Sequence, residues 1–421
     1  MTHKRSVGLS RAVSRRTIIR AAGVLMGAAA LGPRAALAFT PTDAPNNAAS
    51  QPAPPGQANP PSAISNPPRQ WGPDTPEIYP DPDIIVIDPS FGSKLLGITA
   101  IHRLWTGGKW LEGPIWSSEG NYLVFSDVQQ NVTYRLIWET MQVTKFHEPS
   151  LFGNGNTIDF QGRLVTCQDQ LRRLVRYEHD GTLTILADNY QGKTLNSPNG
   201  VVPHPDGSYW FTDPPYGDQL SEGQPDDPGG PANPNGNLNP RTGDFLGLGG
   251  GFKRQLPSQT YRLDPNGTLT VAVPEDQLKD PNGLDFSPDY KTFYLLSTGP
   301  GPGDTGGGGD GNCYAFDVSS DGKSVSNKRL FTDFMVDGVH CGPDDMTVDV
   351  DGNLYFSSNA PLGYSGVTVY NPQGKLIGRV RLPEVCANLQ FGGPKHNFLL
   401  MTASQSIYAL QMNTQGAHPG N

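Results

Sequence analysis

From about residue 83 to residue 411 the apolar residues of this chain fall in short runs that alternate with polar ones and stop at Gly, Asn, Asp or Pro. Period-two alternation over four to seven residues predicts half-buried β-strands, not amphipathic helices. One segment occurs six times: an oxygen-bearing polar residue, often followed by Gly, an apolar stretch, a turn, and a second apolar or aromatic run. The lead residues are Glu112, Asn154, Asn199, Asn282, Asp344 and Asn388, spaced by 42, 45, 83, 62 and 44 positions. Three intervals of one unit and two stretched ones describe six units carrying two insertions. In the first unit strands are predicted near 114–117, 122–126, 132–137 and 142–147. A repeat of this length carrying four strands is the signature of a propeller blade. The prediction is an all-β, six-bladed β-propeller over 83–413. The last unit has strands near 388–391, 398–402 and 406–411 and no fourth. Two extra strands, at 83–88 and 99–105, precede the first unit, and the later one is predicted to close the last blade and cover its exposed edge.

Composition refines this picture along the chain. The 51 Gly and 40 Pro argue against a helical protein. Thirteen of the prolines lie in 40–82, so 39–82 reads as a disordered Pro-rich tether unable to offset its ordering entropy by burial. Glycine concentrates in the insertions at 217–258 and 299–312, neither of which ends in the Gly-Lys-Ser/Thr of a phosphate loop. Residues 414–421 read as a flexible tail.

Residues 1–38 hold seven Lys and Arg and no acid, so the remainder carries a formal −16. Such a chain is poorly suited to nucleic acid or anionic membranes and better suited to a cation. The start has the order of an export signal: a basic region, the apolar stretch Ala21–Leu31, and Ala36-Leu-Ala38 as a small-residue cleavage site. Ser14-Arg-Arg-Thr-Ile-Ile-Arg20 resembles a twin-arginine signal, implying the twin-arginine translocation machinery as partner and a periplasmic or extracellular destination, with no membrane contact beyond the signal. Cys167, Cys313, Cys341 and Cys386 lack metal-ligand spacing. Export permits a disulfide, and Cys341 with Cys386, which precede equivalent positions in adjacent repeats, is the first pair to test.

In a propeller the first strand of each blade lines the central channel, so the six lead residues converge. Two are acidic, four are amides, and none is Lys or Arg. That set suits a hard divalent cation such as calcium, with zinc or manganese as alternatives, and not a metal needing thiolate or imidazole. Asn-Gly is also a turn dipeptide, so a recurrent Asn admits the alternative of a cap on a bend between blades. Glu112, a poor turn residue at the matching place, argues for the cation.

Five motifs resemble the regucalcin and gluconolactonase family of calcium-dependent six-bladed propeller lactonases, over about 100 to 405: Glu112-Gly-Pro-Ile-Trp116, Leu195-Asn-Ser-Pro-Asn-Gly200, Phe211-Thr-Asp-Pro-Pro-Tyr-Gly217, Pro281-Asn-Gly-Leu-Asp-Phe-Ser-Pro-Asp289 and Pro343-Asp-Asp-Met-Thr-Val-Asp349. The resemblance implies metal ligation by Glu112, Asn199, Asn282 and Asp344, with Asp344 also the general base. Asn154, Asn388 and His340, four residues before Asp344, are then candidates to face substrate. The chain departs from the family pattern at Asp345, where Gly is usual, at Gly200, where many relatives have Asp, and in lacking an Arg just before Asn199.

The expected activity is hydrolysis of a lactone, a sugar lactone by resemblance, with the cation polarising the carbonyl and Asp344 taking a proton from water. Ser126 and Ser197 lack a nucleophile-elbow context, so a serine hydrolase is not expected. A phosphotriesterase-like hydrolase at the same site and a non-catalytic calcium- or ligand-binding propeller are the rival readings.

Overall fold

The computed structural model describes residues 69–71, 75–219, 255–298 and 308–419. The expected export signal, most of the expected tether and the middle of each insertion lie outside them. Each unit of the repeat forms one antiparallel sheet. Blade 1 runs Leu111–Ser117, Tyr122–Asp127, Val132–Ile137 and Gln142–His147. Blades 2 to 6 open with first strands Gly153–Ile158, Val201–Pro203, Pro281–Phe286, Met346–Val348 and Cys386–Gly392. Residues of all six first strands or their leading turns line one central cavity.

Second strands are buried along almost their whole length, as in Tyr209–Asp213, because a neighbouring blade covers each face of the sheet. No residue of the outer strand Gln142–His147 is fully buried. Aromatic side chains fill the gaps between blades. Trp210 of blade 3 meets Phe286 of blade 4 edge to face, with centroids 5.5 Å apart and planes at 88°, a geometry that adds to simple area burial.

Ring closure follows the sequence expectation: Ile101–Thr106 pairs antiparallel with Ser406–Gln411, making it the fourth strand of blade 6. The earlier strand takes a different place. Ile84–Val86 pairs with Leu376–Arg381 as a fifth strand on blade 5, so the two N-terminal strands cover the edges of neighbouring blades.

Three expectations are corrected. Within the span expected to be a tether, residues 69–71 and 75–82 are placed against the propeller. Arg69 donates to Asp81 Oδ1 at 2.8 Å, to Asp83 Oδ2 at 3.0 Å and to the Ile101 carbonyl at 2.9 Å, and Trp71 sits edge-on to Tyr408 at 5.2 Å. A few bonding side chains thus dock a segment whose average composition argues for disorder. The tail is ordered through residue 419: Thr414 Oγ1 donates to Asp349, the Gly416 amide to the His396 carbonyl and the Ala417 amide to Val348. His418 is buried beside Asp285, with Nε2 3.4 Å from Oδ1. Finally, all four cysteines are free and buried. Cys341 packs in a core cluster with Phe334 and Phe356, whereas Cys386 packs in another with Leu389 and Met401. Equivalent places in successive repeats belong to different blade interfaces.

Both insertions connect second to third strands, 209–213 to 259–263 in blade 3 and 292–297 to 312–318 in blade 4. Second strands run antiparallel to first strands, so these anchors lie on the face where the first strands begin. That is also the face carrying the lead residues.

Candidate functional site

The lead residues stand at the starts of the first strands, where the pairing is bulged in blades 1, 2, 4 and 6. A bulge turns a side chain that regular pairing would send elsewhere. Glycine follows the lead residue in the first four blades because neighbouring blades touch there. A Cβ on Gly113, whose φ is +52°, would lie 2.4 Å from the Asn154 carbonyl oxygen, and one on Gly155 would lie 2.2 Å from that of Asn199. The contacts include hydrogen bonds: the Gly155 amide donates to the Asn199 carbonyl and the Gly283 amide to the Asp344 carbonyl, each at 3.0 Å. The repeated Asn-Gly is therefore a blade-to-blade stitch, not a bend between blades.

The six lead residues form a collar of three linked pairs. Glu112, buried, accepts from Trp110 Nε1 at 3.0 Å through Oε1, and its Oε2 lies 3.4 Å from Asn388 Nδ2. Asn282 donates its side-chain amide to Asp344 Oδ1. Asn154 and Asn199 come together through the Gly155 stitch; Asn154 is buried and Asn199 half-buried. The Asn388 amide is engaged at both ends, since Nδ2 also donates to Asp345 Oδ2 at 2.6 Å and Oδ1 accepts from the Leu389 amide at 2.7 Å. His340 stands apart from this network. It is exposed on a two-stranded ribbon, Met335–Val336 with Val339–His340, and its Nε2 is 3.0 Å from the Gly311 carbonyl at the anchor of the blade 4 insertion.

Sequence reasoning missed three contributors. Asp345 and Asp285 both face the channel, as does Asn156. Asn156 Nδ2 donates to the Gly113 carbonyl at 2.8 Å and to Ser126 Oγ at 3.0 Å, while Thr166 Oγ1 donates to its Oδ1 at 2.7 Å. The signal was available in the alternation, for Asn156 stands two residues beyond Asn154. The serines set aside as nucleophiles are structural. Ser126 Oγ donates to the Asn154 carbonyl, and Ser197 Oγ donates to the Pro214 carbonyl and accepts from the Gly217 amide.

Burial pushes the carboxyls of Asp344 and Asp345 well above the usual carboxylate range; the charge of Asp344 adds to the rise at Asp345. Burial also lifts Asp285 to about 6, an effect that His418 opposes. No Lys or Arg belongs to the collar, and Asn154 Oδ1 is buried without a hydrogen-bond partner. A buried acceptor with no hydrogen-bond donor among the described residues, set among buried carboxyls, is what a site for a cation presents when its donors are counted alone. Among the described residues no three carboxylate, imidazole or thiolate side chains converge, so amide oxygens must complete any coordination. Glu112, Asp344, Asn199 and Asn282 with Asn154 fit a hard cation on that basis.

Residues 110–405 match the family model described as SMP-30/Gluconolactonase/LRE-like region. A gluconolactonase from Zymomonas mobilis is 26% identical over 331 residues, covering 73% of this chain and 80% of its own. The solved gluconolactonase of Xanthomonas campestris, described as important in glucose secondary metabolic pathways, is 28% identical with a TM-score of 0.62, covering 78% of this chain and 94% of that one. A calcium-binding protein from Agrobacterium tumefaciens, regucalcin, superposes with a TM-score of 0.57 at 17% identity, covering 76% and 97% of the two chains, a likeness of fold alone.

Proposed function

The chain belongs to the SMP-30/gluconolactonase/LRE-like family, and from that premise we propose that it is a metal-dependent lactonase acting on a sugar lactone. The observation that carries the reading is the collar: two carboxylates and several amides from six blades, with, among the described residues, an unpartnered buried acceptor and no cationic side chain in the collar. Glu112, Asn199, Asn282 and Asp344 hold the cation, calcium first and zinc or manganese as alternatives. Bound there, it supplies Lewis acidity to a lactone carbonyl.

The chain's own residues do the rest. Asn282 occupies Asp344 Oδ1, which leaves Oδ2 to take the proton of the attacking water as the water oxygen adds to the carbonyl carbon. The same carboxyl returns the proton to the ring oxygen as the C–O bond breaks, giving the hydroxy acid. Burial at the channel mouth raises the basicity of Asp344 toward that of a group that exchanges protons near neutrality. The insertion anchors at 213–217, 255–259, 298 and 308–312 flank this face, and His340 packs on one of them. The export signal supports a periplasmic or extracellular setting for the enzyme.

The test is a pH-stat assay of the purified protein on a panel of aldonolactones, after chelation and after restoring calcium, zinc or manganese. Turnover that disappears on chelation and returns with one ion is expected. Turnover unaffected by chelation overturns the metal-dependent reading, and hydrolysis of aryl phosphate triesters in place of lactones overturns the substrate class.

A further inference from the structure

In blades 1 to 4 the residue after the lead position is glycine, and the collar closes through backbone contacts across the blade interface. In blade 5 that residue is Asp345, and the link to the next blade is made by its side chain. Asp345 Oδ1 accepts from the Met346 amide at 2.7 Å and Oδ2 from Asn388 Nδ2 at 2.6 Å. The Asn388 amide cannot be reversed without loss, because its NH2 faces two carboxylates, Asp345 and Glu112, while its oxygen accepts from the Leu389 N–H. The orientation is therefore set by chemistry on every side. The other Glu112 oxygen is held by Trp110.

We propose that Asp345 is a positioning residue for the cation site: it locks the Asn388 amide with its NH2 toward Glu112, and Asn388 in turn holds the Glu112 carboxylate in the orientation that receives the metal. This rests on the metal-site reading above. Groups that orient ligands commonly change metal affinity 10- to 100-fold when removed. In Asp345→Asn, keeping the Met346 bond aims the new NH2 at the Asn388 NH2. Asn388 then turns over, gives up the Leu389 bond and sets its oxygen against the Glu112 carboxylate.

The experiment is calorimetric calcium titration of the metal-free full-length protein and of Asp345→Asn, Asn388→Ala and the double variant, with guanidinium unfolding of each metal-free protein alongside. Asp345→Asn and Asn388→Ala are each expected to weaken calcium binding at least about 10-fold. The double variant is expected to bind no more weakly than Asn388→Ala alone, because Asp345 acts through that amide. Should Asp345→Asn unfold, Asp345→Gly, which gives blade 5 the residue found in blades 1 to 4, takes its place with the same expected loss. Wild-type affinity in Asp345→Asn overturns the proposal, and so do losses that add in the double variant, which would mark Asp345 as a charge acting directly on the ion. A wild-type protein that binds neither calcium, zinc nor manganese overturns the metal-site reading itself.

Discussion

Asp285→Asn is expected to stabilise the protein at pH 8 and to do so progressively less as the pH falls. Asp285 lines the channel and is 4% exposed; its Oδ1 accepts from the Phe286 amide at 2.8 Å and lies 3.4 Å from His418 Nε2. Burial raises its carboxyl from 3.8 to about 6 despite His418. A group whose folded value exceeds its unfolded one binds its proton more tightly in the native state. Its stabilising contribution is complete below about pH 4 and lost as the pH rises through about 6. Two units correspond to roughly 3 kcal/mol of penalty for the ionised form above pH 7, an upper figure once water in the channel is allowed for. Asparagine keeps the acceptor for Phe286 and removes the charge, but its NH2 replaces one of the carboxylate oxygens, which also accept from the Val348 amide, at a cost of about 1 kcal/mol. For a domain of roughly 300 residues, the remaining gain of about 1 to 2 kcal/mol translates to a melting midpoint about 2 to 3 °C higher. Differential scanning calorimetry of the metal-free protein and variant at pH 4.5, 6 and 8 measures it. An equal difference at all three values, or a variant less stable at pH 8, refutes the electrostatic argument.

Asp344→Asn and Glu112→Gln are each expected to lower kcat/KM on the best lactone at least about 100-fold, while metal-free Asp344→Asn is expected to be no less stable than wild type at pH 8, since burial raises that carboxyl as it does Asp285. Ending the chain after Asn413 removes the Thr414, Ala417 and His418 contacts; a loss of about 2 kcal/mol or more in guanidinium unfolding is expected, and an unchanged midpoint would show the docked tail to be energetically idle. A thiol reagent is expected to label no cysteine in the native protein and all four after denaturation without reductant, since each is buried and free; fewer than four would reveal a disulfide.

The blade count was legible because the strand alternation and the lead residues repeat six times, and no accident of contact can imitate that. The collar was legible for the same reason: one place in the repeat is one place around the axis. What escaped depends on single meetings between distant segments. Ile84–Val86 reads as a strand from its own residues, but only the free edge of Leu376–Arg381 decides where it pairs. Nothing local to Ala417 or His418 announces that a sequence ending in small and polar residues will cross to Val348 and Asp285. Asp345 was visible as an exception to a glycine rule, yet its meaning needed Asn388, 43 positions away. The cysteine pairing failed because repeat equivalence reports depth within a blade and not proximity between blades.

The closure of blade 6 also imposes an order of events on biosynthesis. Ile101–Thr106 emerges early, and its partner Ser406–Gln411 is separated from it by some 300 residues. At the usual rate of about 5 to 20 residues per second, that partner is about 15 to 60 s away. Throughout this interval blade 1 can form while the strand before it offers unsatisfied amides and carbonyls to any passing chain. Translation speed over the last two blades, and chaperone cover for the waiting strand, are therefore expected to govern the yield of native protein more than the strength of any single blade.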